Sequence, residues 1–580
     1  MYREVKEFYK FLENKHKKFL FFQLALSLIQ GFLEIFSIAL IIPIFTILFN
    51  EEIILDNKFI FQIYVYFKFH SLENFKIFLL IAFSLFFLFS VLFNFLTNIF
   101  SRYFSNIIAS DIGSRLFKYY IHSNLNFHRQ NNKTDLIKKI IEEVRRLPSA
   151  LITPLFVIIS KMVVFIIIFS LLISVNTYST LIIFFLLVIF YLVVFLSVKT
   201  LLSNNDKKLS NAALEKIVTL EEGLMALKEI KVFDLTNKYY KKFSKSNYTF
   251  FLYNSFNQIL ADVPRFLIDC IIVILFIIFG YKFVFLNNIN NNLFTYQSIV
   301  LYIFAFFRLA PVLQSIYSSL SAMKGNIMSF RILKNDFINS YDFELLENFN
   351  YNDNVTNIDY ENISFEKNLN KKDFKLNFDH FKLSINENTL ITGPNGSGKT
   401  TFCDILMGIL VPDKSLIRIN DKVINFKDLE SLKLFSYAPQ NGYLFNSTIL
   451  FNITFENDIN LIDQNELNEI IQILNLKKLI FSFDNNYNFL LKEGGKNLSM
   501  GQRQKIILAR ALYNSRKFII LDEPTNFLDN ETSLNLIKEI INFCKNKNKS
   551  LLVISHNEEH KILFKKIVEF HNGNFKIFYN

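Results

Sequence analysis

Six apolar segments in the first 325 residues are each long enough to cross a lipid bilayer as a helix, which takes roughly 20 apolar residues. Runs such as Met162–Val175 and Leu181–Val198 carry no polar stripe, which argues against the alternative that they are buried helices of a large soluble protein. Because lipid cannot pair with backbone N–H and C=O groups, such segments must be helical. The sequence therefore predicts six transmembrane helices, at Phe19–Leu48, Phe75–Phe100, Leu151–Val175, Thr180–Leu202, Ile259–Phe285 and Leu293–Ser321.

Lysine and arginine are distributed unevenly between these segments. They are concentrated before the first segment, after the second and after the fourth, whereas the other connections are short or poor in basic residues. Since basic residues favour the cytoplasmic side of a membrane, both termini of this multi-pass chain are predicted to be cytoplasmic. Topology thereby explains the net charge of +12, and no nucleic-acid partner is expected.

The predicted connections differ in length on the two sides of the membrane. Those on the cytoplasmic side are long and have a helical pattern, which indicates helical extensions below the bilayer. The longest outer connection, Asn50–Glu73, contains the aromatic segment Phe59–Phe69, which is too short to span. Two interpretations remain open for this segment: a helix in the headgroup layer, or a helix packed on the bundle.

The sequence pattern changes near residue 345, where short strand-like and helix-like segments begin to alternate with turns. This change predicts a membrane domain at 1–325, a linker at 326–345 and an α/β domain at 346–580. The fold class expected from the sequence is thus an α-helical membrane domain joined to an α/β domain of the P-loop type.

The α/β domain opens with a glycine-rich loop between a strand and a helix. The strand-like Asn388–Thr392 leads into Gly393–Thr401, and an apolar helical segment follows. Glycines let the backbone N–H groups wrap a phosphate, and the N-terminus of the helix favours an anion. The arrangement predicts a nucleotide-binding P-loop in which Lys399 reaches the β- and γ-phosphates and Thr400 binds Mg²⁺.

A second motif, Lys517–Glu523, consists of four apolar residues followed by two acids. A buried strand that ends in acids after a P-loop is typical of a Walker B motif. Asp522 is suited to Mg²⁺ coordination, and Glu523 to holding and deprotonating the attacking water.

Between these motifs stands Leu498-Ser499-Met500-Gly501-Gln502, followed by the helical segment Ala509–Leu512. This string resembles the signature of ABC transporters, with Met500 in place of a glycine. Gln440 and His556 resemble the Q-loop glutamine and the switch histidine of that family. Two further elements resemble its exporter-type X-loop and its D-loop, namely Lys492–Gly495 and Leu528-Asp529.

The resemblance implies an ATPase that uses ATP and Mg²⁺ and works as a dimer, with a homodimer as the simplest form and a heterodimer left open. The P-loop of one chain would face the signature of the other, and short helices near Asn124–Asn131 and Glu222–Ile230 would press on the ATPase. The catalytic residues implied are Glu523, His556 and Gln440, with Gln440 also among the Mg²⁺ ligands beside Thr400 and Asp522. The nucleotide-binding residues implied are Gly393, Asn395, Gly396, Ser397, Gly398, Lys399, Thr400, Thr401, Ser499, Gly501 and Gln502.

Four positions depart from the pattern of the family, one of them being Pro524, where exporters usually have alanine. Met500 must point away from the nucleotide, or the approach of a phosphate to the signature suffers. Lys492 replaces an X-loop glycine. Lys367 stands where the aromatic residue that stacks on adenine is expected, so stacking either falls to Phe365 or is absent. Weak discrimination between ATP and GTP would follow.

Charged residues inside predicted spans are the candidates for contact with a transported substrate, because a charge at the centre of a span costs about 2.5–3.5 kcal/mol. The most telling charged residues in the spans are Glu34, Lys161, Arg265, Asp269 and Arg308, and the substrate candidates among them are Glu34, Lys161, Arg265 and Arg308. Two interpretations remain open: an internal ion pair, for instance Glu34 with Arg308, or a basic cavity that receives an anionic headgroup such as a diphosphate.

Short stretches of the membrane half resemble flippases of the PglK type. They are Phe32–Pro43, Val263–Arg265 and Phe307–Pro311. The resemblance implies transfer of a lipid-linked oligosaccharide of the polyprenyl-diphosphate type from the inner to the outer leaflet of the bacterial inner membrane, for protein glycosylation. Exporters of lipids, drugs or peptides remain the alternatives, although the segment before the first span leaves no room for the peptidase domain that peptide exporters often carry.

Overall fold

The computed structural model describes residues 2–40, 62, 64–66, 71–175, 177–285, 293–341, 355–369, 372–426, 429, 433–526 and 528–580. The chain divides into two compact units. The first comprises Met1–His122 and Asn131–Phe343, and the second comprises Ser123–Gln130 and Glu344–Asn580.

The first unit is helical throughout its described part. Its helices are α1 (Tyr2–Phe11), α2 (Asn14–Ala39), α3 (Leu72–His122), α5 (Lys133–Lys138), α6 (Val144–Leu147), α7 (Thr153–Val175), α8 (Thr177–Met225), α9 (Leu227–Val232), α10 (Thr236–Phe285), α11 (Leu293–Lys324) and α12 (Ile327–Tyr341), with α4 (Leu125–Gln130) belonging to the second unit. At 1.5 Å per residue, the 51 residues of α3 extend over roughly 75 Å, well beyond the thickness of a bilayer. Helix α3 thus continues well past the end of the second predicted span.

Four described segments are long and apolar enough to cross a membrane: Asn14–Ser37, Leu72–His122, Lys133–Ile173 and Val188–Met225. Apolar side chains such as Leu85, Leu92 and Phe95 of α3 are more than half exposed, which suits contact with lipid and not with water. These four segments overlap the first four predicted spans.

The last two predicted spans lie within the long helices α10 and α11, whose side chains from 267 to 308 lie outside the described part of the structure. The predicted end of the first span, from residue 41 onward, is also outside it. Of the predicted interfacial segment Phe59–Phe69, residues 62 and 64–66 are described and are helical, and the ring of Tyr64 meets that of Phe75 edge-on at 5.4 Å.

A buried ionic cluster joins the start of the third predicted span to α8. Glu143 lies in a π-helical turn, Lys139–Glu143, and accepts from Lys138 Nζ at 3.2 Å and from Arg146 Nη1 at 3.4 Å. Arg146 also donates to Asp206 at 2.8 Å. Two cations and two carboxylates thus neutralise one another, and removing one partner would leave a buried charge uncompensated.

The second unit is built on two sheets. Its strands are β1 (Asn357–Leu369), β2 (Lys372–Ser384), β3 (Thr389–Thr392), β4 (Lys414–Ile419), β5 (Lys422–Ile424), β6 (Phe435–Ala438), β7 (Phe518–Asp522), β8 (Ser550–Ile554), β9 (Lys566–His571) and β10 (Asn574–Tyr579). Its helices after α4 are α13 (Lys399–Leu406), α14 (Ile449–Thr454), α15 (Gln464–Ile473), α16 (Lys477–Phe481), α17 (Met500–Tyr513) and α18 (Asn530–Asn546). Single 3₁₀ turns cover Ile459–Leu461, Asn486–Asn488 and Glu558–Leu563.

The larger sheet has the strand order β10-β9-β3-β8-β7-β6, with every pair parallel except β10 with β9. Strand β7 is buried along its whole length, because Ile519 and Leu521 enter one apolar core and Phe518 and Ile520 enter another. A parallel strand covered on both faces reads as a continuous apolar run, as this one does. The smaller sheet, β2-β1-β4-β5, is antiparallel.

Helix α4 packs against the region that follows the P-loop. The Leu125 backbone N donates to the carbonyl O of Ile409 at 3.3 Å, and Arg129 Nη2 donates to Asp404 Oδ2 at 2.7 Å. Residues Ser123–Gln130, which lie between the second and third predicted spans, therefore fold with the P-loop unit, whereas the residues on either side of them belong to the first unit. The segment predicted as a linker, 326–345, contains helix α12, which belongs to the first unit.

Candidate active site

Four neighbouring strands of the larger sheet end at one edge and bring together residues from distant parts of the chain. The P-loop follows β3, the Asp522–Glu523 pair ends β7, Gln440 follows β6, and His556 follows β8. The carboxyl ends of parallel strands are the usual place for a ligand in an open α/β sheet. The sequence order of these residues says nothing of this convergence, which depends on the order of the strands.

The P-loop needs glycine at Gly393 because of both backbone angle and space. Its φ is 136°, and an added Cβ would lie 2.5 Å from the carbonyl O of Phe570 on β9. Gly396, by contrast, has a φ of 77° and an added Cβ would meet nothing within 4 Å. Close packing beneath the loop and an open side above it are the features that a phosphate cradle requires.

Lys399 is the first residue of α13 and its ammonium group reaches across the loop. It donates to the carbonyl O atoms of Gly393 and Pro394 at 2.8 and 3.0 Å, and its Nζ lies 3.4 Å from His556 Nε2. Burial lowers the pKa of Lys399, and the charges of Glu523 and Asp522 oppose that shift.

Glu523 lies at the centre of a group of polar contacts. Its Oε1 is 3.0 Å from His556 Nε2, and its Oε2 accepts hydrogen bonds from Gln440 Nε2 and Asn526 Nδ2. Both carboxylate oxygens are therefore directed by side chains that follow three different strands. The predicted catalytic residues Glu523, His556 and Gln440 come together in the folded chain.

Asp522 lies next to the hydroxyl that is predicted to share a metal with it. Thr400 Oγ1 and the Tyr437 hydroxyl each donate to Asp522 Oδ2 at 3.3 Å. Burial raises the pKa of Asp522, and the neighbouring charge of Glu523 raises it further. Two adjacent carboxylates, one of them buried, are stabilised by a divalent cation, so the donor set fits Mg²⁺.

The residues of the P-loop also fit the phosphates of a nucleoside triphosphate. Asn395, Gly396 and Thr400 are exposed, whereas the Ser397 hydroxyl is buried without a hydrogen-bond partner among the described residues. The glycines hold the loop open, and Lys399 brings a cation into it. These features match the chemistry of a phosphate chain, and Thr400 and Asp522 would hold Mg²⁺.

The signature segment begins helix α17. Ser499 is its N-cap: the Ser499 hydroxyl accepts from the Gln502 backbone N at 3.3 Å, while Gln502 Oε1 accepts from the Ser499 backbone N at 2.8 Å. Met500 is 51% exposed, so within one chain its side chain points outward beside Arg503. The reciprocal cap leaves Ser499 exposed and Gly501 half-buried at the start of the helix.

The structure excludes one of the two alternatives for the nucleobase. Phe365 is only 6% exposed and lies in an apolar core, so its ring does not offer a stacking face. The side chain of Lys367 lies outside the described residues. The aromatic platform that the sequence left in doubt is not supplied by Phe365.

The candidates in the membrane half fall into three groups. Glu34 and Lys161 are buried and are joined through amides: Gln30 donates to Glu34 Oε1 at 2.9 Å and to Asn94 Oδ1 at 3.0 Å, and Lys161 donates to the same oxygen at 3.0 Å. Arg265 on α10 is exposed, and the Arg308 side chain lies outside the described part. The expected pairing of Glu34 with Arg308 is thus not tested, but Gln30 is a partner of Glu34.

Two residues of the catalytic group escaped the sequence reasoning. Asn526 lies three residues beyond Glu523, and Tyr437 precedes Gln440 by three residues, so each is a near neighbour in sequence of a predicted site residue. Tyr437 lies on the short strand β6 beside β7, where the register pairs it with Ile520. Its proximity to Asp522 depends on that register, which the sequence alone does not give.

Two family models match the chain: the ABC transporter transmembrane region over residues 20–307, and the ABC transporter over residues 376–526. A lacticin-481/lactococcin-DR transport/processing ATP-binding protein of Lactococcus lactis subsp. lactis is 26% identical over 460 residues, covering 78% of this chain and 63% of that protein. This chain thus spans less than two thirds of that relative.

A second relative, the ATP-dependent lipid A-core flippase 2 of Colwellia psychrerythraea, is 24% identical over 437 residues, which are 73% of this chain and 72% of that protein. A solved structure, a bacterial Atm1-family ABC exporter with ATP bound, is similar with a TM-score of 0.75 at 15% identity. That match covers 98% of this chain and 96% of the other, and it establishes an exporter-type fold.

Proposed function

The chain belongs to the ABC transporters, as a half-transporter with the exporter fold, and from this premise we propose that it is an ATP-driven flippase for a polyprenyl-diphosphate-linked oligosaccharide. The observation that carries the ATPase part is the convergence of Lys399, Glu523, Gln440 and His556 at one sheet edge.

Bound Mg–ATP supplies the phosphoryl group whose transfer to water releases the free energy for transport. Glu523 orients the water and accepts its proton. Gln440 and Asn526 donate hydrogen bonds to Oε2 of Glu523 and so fix the direction of the carboxylate, while Oε1 lies beside His556. His556 orients that second oxygen. Lys399 holds the phosphate chain, and its contact with the Gly393 and Pro394 carbonyl groups positions it for that role.

The active unit is proposed to be a homodimer. Each chain has one P-loop and one signature. The signature lies at the capped N-terminus of helix α17, where the N-cap residue Ser499 is exposed. A second identical chain would supply the facing signature and complete two equivalent sites. Met500 fits this arrangement if its outward side chain stays beside Arg503.

The choice of substrate rests on the membrane half. The stretches around Arg265 and Arg308 resemble PglK-type flippases, and one relative is itself named as a flippase of the glycolipid lipid A-core. The exposed guanidinium of Arg265 is available to a diphosphate, whereas the buried Glu34 and Lys161 are committed to a polar network inside the bundle. We therefore assign the arginines, and not Glu34 or Lys161, to headgroup contact.

The test is ATPase activity in proteoliposomes, with and without a polyprenyl-diphosphate oligosaccharide. The expected result is stimulation by the glycolipid that Arg265→Ala and Arg308→Ala weaken, while basal hydrolysis persists in both variants. Glu523→Gln serves as the inactive control. Basal hydrolysis that is indifferent to the glycolipid would leave the ATPase in place and reject this substrate.

A peptide exporter is the second candidate, because the lacticin-481 transport protein aligns over 78% of the chain. The same liposomes separate the two: a peptide exporter would be stimulated by an amphipathic peptide and not by the diphosphate glycolipid.

A further inference from the structure

The hairpin of β1 and β2 lies beside the P-loop and is therefore a candidate surface for the base of a nucleotide that the loop holds. The Asn377 backbone N donates to the carbonyl O of Gly573, and the Gly573 backbone N donates to the carbonyl O of Ser397 in the loop. Phe365, the aromatic residue of β1 nearest to this end of the hairpin, is buried in the core. A stacking face must come from elsewhere.

Phe374 on β2 lies directly against the P-loop. An ideal Cβ built on Gly398 would lie 2.7 Å from Phe374 Cζ and 3.4 Å from its Cε2, so the ring touches the glycine immediately before Lys399. Gly398 is the N-cap of α13, the helix whose N-terminus faces the phosphate chain. The ring thus lies at the edge of the cradle.

The register of the hairpin fixes which face Phe374 occupies. Phe374 pairs with Lys367, and Leu376 pairs with Phe365, so these rungs share one face of the sheet. Glu366 and Lys375 form the intervening rung and meet on the other face in an exposed ion pair at 2.6 Å.

Burial decreases along that inner face toward the end of the hairpin. Leu376 is fully buried, whereas Phe374, two residues nearer to the end, is partly exposed and packs on the margin of the core. An aromatic ring that is anchored on one side and exposed on the other is the arrangement a flat base can stack on.

We propose that Phe374 is the residue on which the nucleobase stacks in this protein, replacing an aromatic residue at position 367 from the facing strand. The inference rests on the proposed ATP-binding function of the P-loop. Stacking uses the π face that all bases share and is tolerant of their identity, so ATP and GTP are expected to bind with affinities within about threefold of each other.

The test is equilibrium binding to the full-length protein by calorimetry, with ATP and with inorganic tripolyphosphate, which has three phosphates and no base. Phe374→Leu keeps an apolar side chain but removes the ring, so ATP affinity should fall about tenfold, within the range expected for loss of one base–aromatic stack. Tripolyphosphate affinity should stay within twofold, and Phe374→Tyr should restore ATP binding.

Phe575→Leu is the matched control, because Phe575 packs against the same core and its ring centroid lies 5.2 Å from that of Phe402 of α13, whereas the atoms nearest to an added Gly398 Cβ belong to Phe374 and Leu376. It should leave the ratio of ATP to tripolyphosphate affinity unchanged. If Phe374→Leu does not fold, Phe374→Met gives the same comparison. Equal loss for both ligands, or no loss of ATP affinity, would overturn the inference, whereas wild-type protein that binds neither ligand would instead reject the proposed ATPase.

Discussion

At the scale of single residues, Glu523 combines a functional group with a strained backbone. Its φ is 52°, a left-handed angle that costs a side chain with a Cβ about 1–2 kcal/mol. The conformation is held because the Glu523 backbone N donates to the carbonyl O of Ile554 on the neighbouring strand at 3.0 Å. Strand β7 ends at Asp522, and the turn at Glu523 directs the carboxylate toward His556.

Replacing Glu523 by glutamine should separate binding from turnover. Glu523→Gln keeps the size of the side chain but cannot accept a proton, so phosphate release should fall by about 10²–10⁴-fold. ATP affinity should change less than threefold. Phosphate release and calorimetric binding measure the two quantities, and Lys399→Ala should instead lose ATP binding. Undiminished turnover in Glu523→Gln would remove this carboxylate from the proposed chemistry.

Asp404 gives the second unit a dependence of stability on pH. Burial raises the pKa of Asp404 from 3.8 to about 6, with Asp522 adding to the shift and Arg129 opposing it. The folded state therefore binds the proton of Asp404 more tightly than the unfolded state does. The contribution of Asp404 to the free energy of unfolding should decrease as pH rises from about 4 to about 6 and then level off.

Asp404→Asn should remove that part of the pH dependence. Thermal unfolding midpoints of the full-length protein between pH 4 and pH 7.5 measure it, with Asp463→Asn, an N-cap on α15, as a control at an exposed site. An unchanged pH profile in Asp404→Asn would show that other groups dominate this range.

At the scale of elements, helix α4 is the clearest case of a short segment whose place is decided by distant partners. Its six residues are too few for a stable isolated helix. The Asn126 side chain donates to the carbonyl O of Val411 at 3.3 Å, and Arg129 pairs with Asp404 on the helix that begins with Lys399. The P-loop helix and α4 are thus joined by a partly buried ion pair.

Arg129→Ala should loosen α4 without disabling the catalytic group. Hydrogen–deuterium exchange in residues 123–130 should rise by about tenfold, and stimulation of hydrolysis by substrate should weaken, while basal ATPase activity stays within about threefold. Arg129→Lys should restore protection in part. Arg145→Ala is the matched control, because Arg145 forms an exposed pair with Glu142 on one helix. Unchanged exchange in Arg129→Ala would contradict this role.

The polar network inside the membrane helices is a second element-scale feature. Asn94 of α3 accepts from Gln30 of α2 and from Lys161 of α7, so three helices meet at one amide oxygen. Asn94→Leu removes this acceptor and should destabilise the bundle by about 1–3 kcal/mol, seen as a lower thermal midpoint. Ser84→Ala, at an exposed hydroxyl bonded only within its own helix, should have no such effect.

At the scale of the whole molecule, the proposed dimer makes a strong prediction about mixed subunits. One chain with Lys399→Ala lacks a P-loop lysine, and another with Ser499→Arg has a blocked signature. If each site combines the P-loop of one chain with the signature of the other, the mixed dimer retains one intact site, although each variant alone has none. Nucleotide trapping should therefore reappear on mixing, and its absence would indicate a site formed within one chain.

Local motifs carried most of the information that the sequence alone supplied. Runs of apolar residues predict the membrane helices. The P-loop, the Walker B strand and the signature are each defined by a few adjacent residues whose side chains indicate their chemistry. Their element types are confirmed where the structure describes them, because hydrophobic periodicity and glycine placement act over short distances.

Only the tertiary structure decided how distant residues combine. Arg129 meets Asp404 across 275 positions of sequence, Glu34 and Lys161 are drawn into one amide network, and Phe374 takes its place against Gly398 through the register of a hairpin. None of these has a sequence pattern of its own. The physical reason is that strand order, register and helix packing are set by the burial of whole faces, so the neighbours of a side chain depend on all the elements packed around it.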